Sequence, residues 1–309
     1  MPELPEVETI RRGLEQFIIK QNLTKTTILC DKSFIGKPIT GTVIAMRRFG
    51  KALVIDFDNN QSLMIHLRMT GQLIFDSNKV PNSPTVPSKN RFAAGHPSDN
   101  FTAPLPNKQT RVILSFKNGT LYFNDQRKFG FIKALPTPEV ERDSFIQKLA
   151  PEPWKMSEED FYNRLQKHPN SCIKATILNQ SIICGLGNIY ADEALFASKI
   201  HPERKSGTIT REESDQLLRS ACEVMDKSIA SGGSTMKTYV KADGTKGDYL
   251  ELFAQVFHRQ NLPCPRCGQP IYKIKVAGRG THLCPHCQTP PSNLNPGKPH
   301  QTKGNHQNA

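Results

Sequence analysis

The spacing of four cysteines near the C-terminus constrains this chain more than any other feature. Cys264-Pro-Arg-Cys267 and Cys284-Pro-His-Cys287 form two CxxC pairs separated by sixteen residues. Each pair turns two thiolates toward one tetrahedral ion, and the intervening residues can close the site as a hairpin. Four protein ligands leave no open coordination position, so the expected zinc ion is structural. A redox role suits the motif poorly, because two copies occur and no βαβ pattern surrounds them. Cys30, Cys172, Cys184 and Cys222 are scattered and read as small, semi-buried residues. Between the knuckles, residues 273–280 (KIKVAGRG) make a basic hairpin suited to phosphate contact.

Upstream, the periodicity changes twice. Residues 5–20 read as a helix, with Val7, Ile10, Leu14 and Phe17 on one face. Short β-like runs follow at 26–29, 41–47, 52–57, 62–67, 111–116 and 120–123, with turns at 58–60 and 117–119. This N-terminal part, 1–136, is expected to be a β-sandwich or barrel with flanking helices. Residues 77–109, rich in Pro, Ser and Asn, read as a mobile surface insertion. A proline-bearing linker, 137–153, leads into a helical domain, 154–257, with helices expected at 157–166, 173–178, 189–198 and 211–231. Thr210 and Glu213 stand at capping-box spacing. The zinc finger occupies 258–288, and 289–309 read as a disordered tail. The fold class expected is therefore α+β and multidomain.

A chain of 309 residues with a net charge of +13 points to a polyanionic partner, most simply nucleic acid. No apolar run approaches the ~20 residues of a membrane span, and the N-terminus lacks a signal pattern. The chain reads as intracellular, which makes a disulfide framework unexpected.

The first residues, Met1-Pro2-Glu3-Leu4-Pro5-Glu6-Val7-Glu8, suggest chemistry. Small second residues permit removal of the initiator methionine, leaving Pro2 with a free secondary amine. An α-amino group titrates near pH 8, about two units below lysine, so more of it is free base near neutrality. A secondary amine attacking an aldehyde-level carbon gives an iminium ion, the electron sink of a lyase reaction. Glu3 is an adjacent acid/base candidate. The same residues also suit a helix start, with proline in the first turn and acids at the positive dipole end.

Four separated motifs together carry a family resemblance: PELPEVET at the N-terminus, HLRMTG paired with NDQRKFG, NQSIICGLGNIYADEALF, and the double CxxC. The chain resembles the bacterial formamidopyrimidine-DNA glycosylase (8-oxoguanine DNA glycosylase) family, related to endonuclease VIII. Leu4 favours the former branch, since endonuclease VIII-like proteins usually carry glycine there. The resemblance extends over nearly the whole chain except 77–109 and the tail. It implies a helix-two-turns-helix domain at 154–257 and a bifunctional glycosylase and AP lyase of base excision repair. Such an enzyme removes 8-oxoguanine and formamidopyrimidines from duplex DNA and then nicks it by β- and δ-elimination. Carried over residue by residue, Pro2 is the nucleophile, Glu3 the acid/base, and Lys51 a catalytic lysine contacting phosphate. Met69, Arg127 and Phe129 fill the gap left by the extruded nucleotide. His66, Asn188, Lys237 and Arg279 contact DNA, with Lys237 in the loop over the extruded base; at the head of the helix expected from residue 189, Asn188 is also placed to cap it. Cys264, Cys267, Cys284 and Cys287 hold one structural zinc. Gln126 and Lys128 depart from the family, where proline and arginine are common. The resemblance also implies a monomer acting on the bacterial nucleoid in the cytoplasm.

Overall fold

The computed structural model describes residues 1–78, 91–96, 103–233 and 253–290. It divides into two compact units, Met1–Leu149 with Met225–Leu252, and Ala150–Val224 with Phe253–Ala309.

The first unit opens with α1 (Leu4–Ile18), whose Val7, Ile10, Leu14 and Ile18 are buried at helical spacing. A capping box starts it: the Glu3 N–H donates to Glu6 Oε2 at 2.8 Å, and the Glu3 carboxylate accepts the Glu6 N–H in return. Ten strands follow: β1 (Asn22–Ile28), β2 (Phe34–Ile35), β3 (Gly41–Phe49), β4 (Ala52–Phe57), β5 (Gln61–His66), β6 (Gly71–Ser77), β7 (Arg91–Gly95), β8 (Thr110–Phe116), β9 (Gly119–Asp125) and β10 (Phe131–Pro136). Their order is β2-β10-β5-β4-β3-β1-β8-β9-β6-β7, antiparallel throughout except for the β10–β2 pair. The β1–β3 joint holds only Asn22↔Thr42 and Leu23↔Gly41, and there the sheet folds into two five-stranded layers. Ile55, Leu63 and Ile65 of one layer meet Leu73, Phe75 and Phe123 of the other in a single core that also takes the apolar face of α1. The outer face of the first layer (Val54, Met64) is covered by Val140 and by Ile146 of α2 (Ser144–Gln147).

The sandwich expected from sequence is present, with more strands than the alternation revealed. β6 reads as the continuous apolar run Leu73-Ile74-Phe75 because both its faces are covered: Leu73 and Phe75 face the main core, while Ile74 packs with Ala93, Leu105 and Tyr122. The expected insertion, 77–109, needs correction over residues 91–95. These form β7, paired along β6 from Asp76↔Arg91 to Gln72↔Gly95, with Phe92 and Ala94 buried in the main core. An apolar Phe-Ala-Ala triplet is enough to hold an edge strand despite polar flanks. The tail from 291 onward lies outside the described residues.

An ionic cluster fastens α1 to the sheet. Glu8 accepts from Arg11 Nη2 at 2.8 Å, Arg12 Nε at 2.8 Å and Arg48 Nε at 3.0 Å. Burial pushes the Glu8 carboxyl up, but the guanidinium groups of Arg11, Arg12 and Arg48 outweigh it and hold its pKa at about 2, against 4.5 ordinarily. A depressed carboxylate pKa contributes stability that is complete above its unfolded value and lost as pH falls through the folded one. Denaturation curves should therefore show a loss on the order of 3 kcal/mol between pH ~5 and ~2 from this group. Glu8→Gln should remove that part of the acid dependence.

The second unit holds α3 (Glu158–Gln166), α4 (Ile173–Leu178), α5 (Asn188–Ala197) and the start of α6 (Arg211–Ala230), then the hairpin of β11 (Tyr272–Val276) and β12 (Arg279–Leu283). Ser157 caps α3 through the Asp160 N–H at 3.1 Å. The expected Thr210 capping box is formed on both sides, at 3.2 Å and 3.0 Å. Among the described residues, no helix is long and apolar enough to cross a membrane.

Candidate active site and zinc module

Pro2 and Glu3 are buried at the head of α1, and Met1 before them is exposed. Lys51 is buried in the turn between β3 and β4, where Gly50 takes a φ of 56°. Arg48 ties these two places together: its Nη1 donates to the Gly50 carbonyl at 3.1 Å while its Nε holds Glu8 of α1. His66 pairs with Ala52, the residue after Lys51, and its ring stacks on Phe131 at 5.9 Å and edges onto Phe145 at 5.2 Å. Burial, then the cations Arg68 and Lys51, push the His66 pKa down to about 3. Its Nδ1 accepts the Arg68 N–H at 3.0 Å, so the neutral ring carries its proton on Nε2 and is a donor there. The chain leaving α6 passes α1: a Cβ built on Gly233 would lie 3.5 Å from Glu6 Oε1. Lys237, a few residues further on, lies outside the described residues.

Met69, Arg127 and Phe129 sit on two adjacent connections. The β5–β6 turn carries Met69, and the β9–β10 loop carries the other two; β5 pairs with β10 and β6 with β9, so both connections cross between the layers at the same end. Asp125, fully buried, locks them together. Its Oδ1 accepts the Thr70 hydroxyl and, at 3.1 Å, the Arg127 N–H, and its Oδ2 accepts the Gly130 N–H at 2.7 Å. With the backbone so held, Met69 is 37% and Phe129 56% exposed, and the Arg127 guanidinium lies 4.8 Å from the Phe129 ring centroid. Lys128 between them adopts a left-handed φ of 57°. Large apolar side chains held out into solvent by a buried carboxylate suit insertion into a partner.

In the second unit, α5 organises the basic hairpin. Gly187, not Asn188, is the N-cap of α5. Asn188 was expected to cap the helix. Its Nδ2 instead donates to the Gly280 carbonyl at 2.9 Å, which brings it beside Arg279. Below this, fully buried Lys174 donates to Asp192 Oδ1 at 2.6 Å and to the Thr281 hydroxyl at 2.7 Å, while Asp192 Oδ2 accepts the His282 N–H at 2.9 Å. Glu193 accepts three backbone N–H groups, those of 255, 256 and 257, at 2.9, 3.0 and 2.8 Å. Burial nevertheless pushes its carboxyl pKa up. Arg279 itself is exposed at the hairpin turn formed with Ala277 and Gly278.

The four cysteine Sγ atoms all lie within 4.8 Å of one another, with Cys264–Cys287 at 3.9 Å and Cys267–Cys284 at 3.5 Å. Zn–S bonds of about 2.3 Å in a tetrahedron require S···S separations of roughly 3.8 Å, so the cage fits zinc. Burial and the neighbouring thiols push the Cys287 pKa up to about 12, since clustered thiolates need a cation to coexist. Gly268, at a φ of 77°, completes the first knuckle by donating to the Cys264 carbonyl at 2.9 Å. Buried Gln288 braces the second, accepting the Cys284 N–H at 3.0 Å and donating to the Ile200 carbonyl at 3.0 Å. The module binds one structural zinc ion.

The buried anchors Asp125, Arg48–Glu8, Lys174–Asp192 and Glu193 escaped the sequence reading. Only Asp125 carried a local signal, an acid opening the loop of NDQRKFG. The other partners lie far apart in the chain.

Three family models match: the formamidopyrimidine-DNA glycosylase N-terminal domain over 1–132, the formamidopyrimidine-DNA glycosylase H2TH domain over 149–240, and the zinc finger found in FPG and IleRS over 261–290. The formamidopyrimidine-DNA glycosylase of Latilactobacillus sakei is 36% identical over 298 residues, covering 93% of this chain and 98% of the relative. Among solved structures, the complex between Lactococcus lactis Fpg and DNA containing an abasic site aligns at a TM-score of 0.79 and 32% identity, covering 94% of this chain and all of that one (100%). The wild-type Lactococcus lactis Fpg (MutM) with DNA containing N7-benzyl-Fapy-dG aligns at a TM-score of 0.78, with the same identity (32%) and coverage (94% and 100%). The folded sandwich, the helical unit and the four-cysteine cage thus agree with sequence likeness over 93% of the chain, which belongs to the formamidopyrimidine-DNA glycosylase family, enzymes of base excision repair with glycosylase and AP lyase activity.

Proposed function

We propose that this protein excises oxidised purines, 8-oxoguanine and formamidopyrimidines, from duplex DNA and cuts the strand through a covalent intermediate on Pro2. The observation that carries this is the burial of Pro2 and Glu3. A chain terminus is ordinarily mobile, yet here Pro2 and Glu3 are packed at the head of a helix rooted in the core. Fixing an amine in this way supplies orientation before any substrate arrives.

Once Met1 is removed, the Pro2 nitrogen attacks C1′ of the damaged nucleotide and the C1′–base bond breaks with its electron pair on the base. The Pro2 nitrogen gives up its N–H proton to the departing base, and Glu3 supplies a proton to O4′ as the sugar ring opens, giving the iminium ion. The iminium acidifies C2′, and loss of that proton expels the 3′ phosphate; a second elimination expels the 5′ phosphate. Lys51, the neutral Nε2–H donor of His66, Asn188 and Arg279 hold backbone phosphates. Met69 and Phe129 occupy the void, and Arg127 meets the acceptors of the estranged base. Lys237 belongs to the loop over the extruded base. The zinc holds the hairpin that carries Arg279. The protein acts as a monomer on cytoplasmic, nucleoid DNA.

Paired incision assays test the substrate class. Duplexes with 8-oxoguanine opposite cytosine should be cut at least tenfold faster than those with thymine glycol. The reverse preference would assign an endonuclease VIII-like specificity instead.

A further inference from the structure

The turn between β5 and β6 carries Arg68 next to Met69. Arg68 takes a left-handed φ of 49°, held by its N–H donating to His66 Nδ1 at 3.0 Å. Its guanidinium lies over the rings of Phe131 and Phe145, 6.0 Å and 5.8 Å from their centroids. The same two rings seat His66, at 5.9 Å and 5.2 Å. Both rings pack on the buried cluster of Val54, Met64, Leu135, Val140 and Ile146 that covers the outer face of the first layer. Phe145 is fixed further at the head of α2, where its N–H donates to Asp143 Oδ1 at 2.8 Å and Lys133 pairs with the same carboxylate.

Arg68 and His66 thus stand on one aromatic shelf rooted in packed structure. Arg68 is exposed, and among the described residues no carboxylate pairs with it. A guanidinium resting on aromatic rings keeps its N–H edges free, and those edges match a phosphate with two parallel bonds. A seated arginine also loses less freedom on binding than one that swings in solvent. After burial, the cations acting on the His66 ring are Arg68 and Lys51. The turn therefore gathers three donor groups around one ring, two of them cationic, where Met69 is held out.

We propose that Arg68 is a further DNA-binding residue: it grips a backbone phosphate beyond those that Lys51 and His66 hold, with Phe131 and Phe145 as the shelf that sets its position. This rests on the reading of Lys51 and His66 as phosphate contacts. Because residues 68 and 69 are neighbours on one turn, the grip fixes the strand where Met69 enters it. Such a contact adds affinity and register and reads no base.

The test is the affinity for a duplex carrying an uncleavable tetrahydrofuran abasic analogue, measured by fluorescence anisotropy from ~50 to ~200 mM salt. Arg68→Gln should bind about tenfold more weakly at the lower salt, the loss of one charge-assisted contact. Its plot of log K against log[salt] should be shallower by about 0.9, the share of one neutralised phosphate. Arg68→Lys keeps the charge and should keep the slope. A methylphosphonate placed in turn at each position around the analogue should find one site that weakens wild type and leaves Arg68→Gln unaffected. A lost cation–ring contact alone would lower the melting temperature and move neither the slope nor the scan. An unchanged slope in Arg68→Gln, or methylphosphonates that cost both proteins alike at every position, overturns the proposal. Lys51→Gln keeps the two questions apart. If it flattens the slope while Arg68→Gln does not, Arg68 has no such role and the Lys51 reading stands. If Lys51→Gln leaves the slope unchanged, the reading of this turn as a phosphate site fails and the proposal with it. Should Arg68→Gln not fold, the methylphosphonate scan on wild type and Arg68→Lys decides, since losing the bidentate edge should blunt the same single site, and a scan identical in the two refutes the grip.

Discussion

Glu3→Gln should slow excision of 8-oxoguanine by about 10³-fold, the middle of the range for loss of an acid/base group. Folding should hardly change. Glutamine keeps an acceptor oxygen for the Glu6 N–H, and the reciprocal bond from the Glu3 N–H to the Glu6 carboxylate is untouched. The helix cap should therefore lose less than ~1 kcal/mol. What the amide cannot do is exchange a proton with O4′ as the ring opens. Cleavage at a preformed abasic site should suffer less, because an aldehyde is already available to the Pro2 amine. Single-turnover rates on the two substrates, with thermal melts as control, separate these effects. Full excision of 8-oxoguanine by the variant would remove Glu3 from the mechanism.

Loss of zinc should have the second large effect. Structural zinc in small modules supplies about 10–16 kcal/mol of apparent binding energy, which is also folding energy. Here the cage closes over a short hairpin whose core is little more than Phe196, Val256, Ile271 and the cysteines themselves. Cys284→Ala or chelation should abolish metal binding, open residues 258–288 to protease, and weaken lesion DNA binding at least tenfold. The sandwich, with a core of its own, should melt as before. Unchanged DNA affinity in metal-free protein would show that the hairpin and Arg279 contribute nothing to binding.

The legible parts of this molecule were those written locally in the chain. The knuckle spacing revealed the cage, helical periodicity revealed α1, and the Thr210–Glu213 spacing revealed a capping box found at both bonds. β6 was missed because it lacks the alternation by which a half-exposed strand announces itself, whereas β4 and β5, equally buried, were legible from the turn between them. β7 was hidden by its polar flanks. The candidate site divides the same way. Pro2, Glu3 and Lys51 stand in short motifs. The groups that hold them or the DNA-facing loops in place pair across long separations, such as Arg48 with Glu8 and Lys174 with Thr281. Asn188 shows the limit of local reasoning: it stands where a cap is expected, but Gly187 is the N-cap and the Asn188 side chain donates to the Gly280 carbonyl.

Borohydride trapping followed by peptide mapping tests the central claim most directly. With 8-oxoguanine duplex and the mature protein, reduction should give a stable adduct whose DNA is bonded to the nitrogen of Pro2. Efficient strand cutting with no adduct, an adduct at a lysine, or normal activity from protein still carrying Met1 would contradict it.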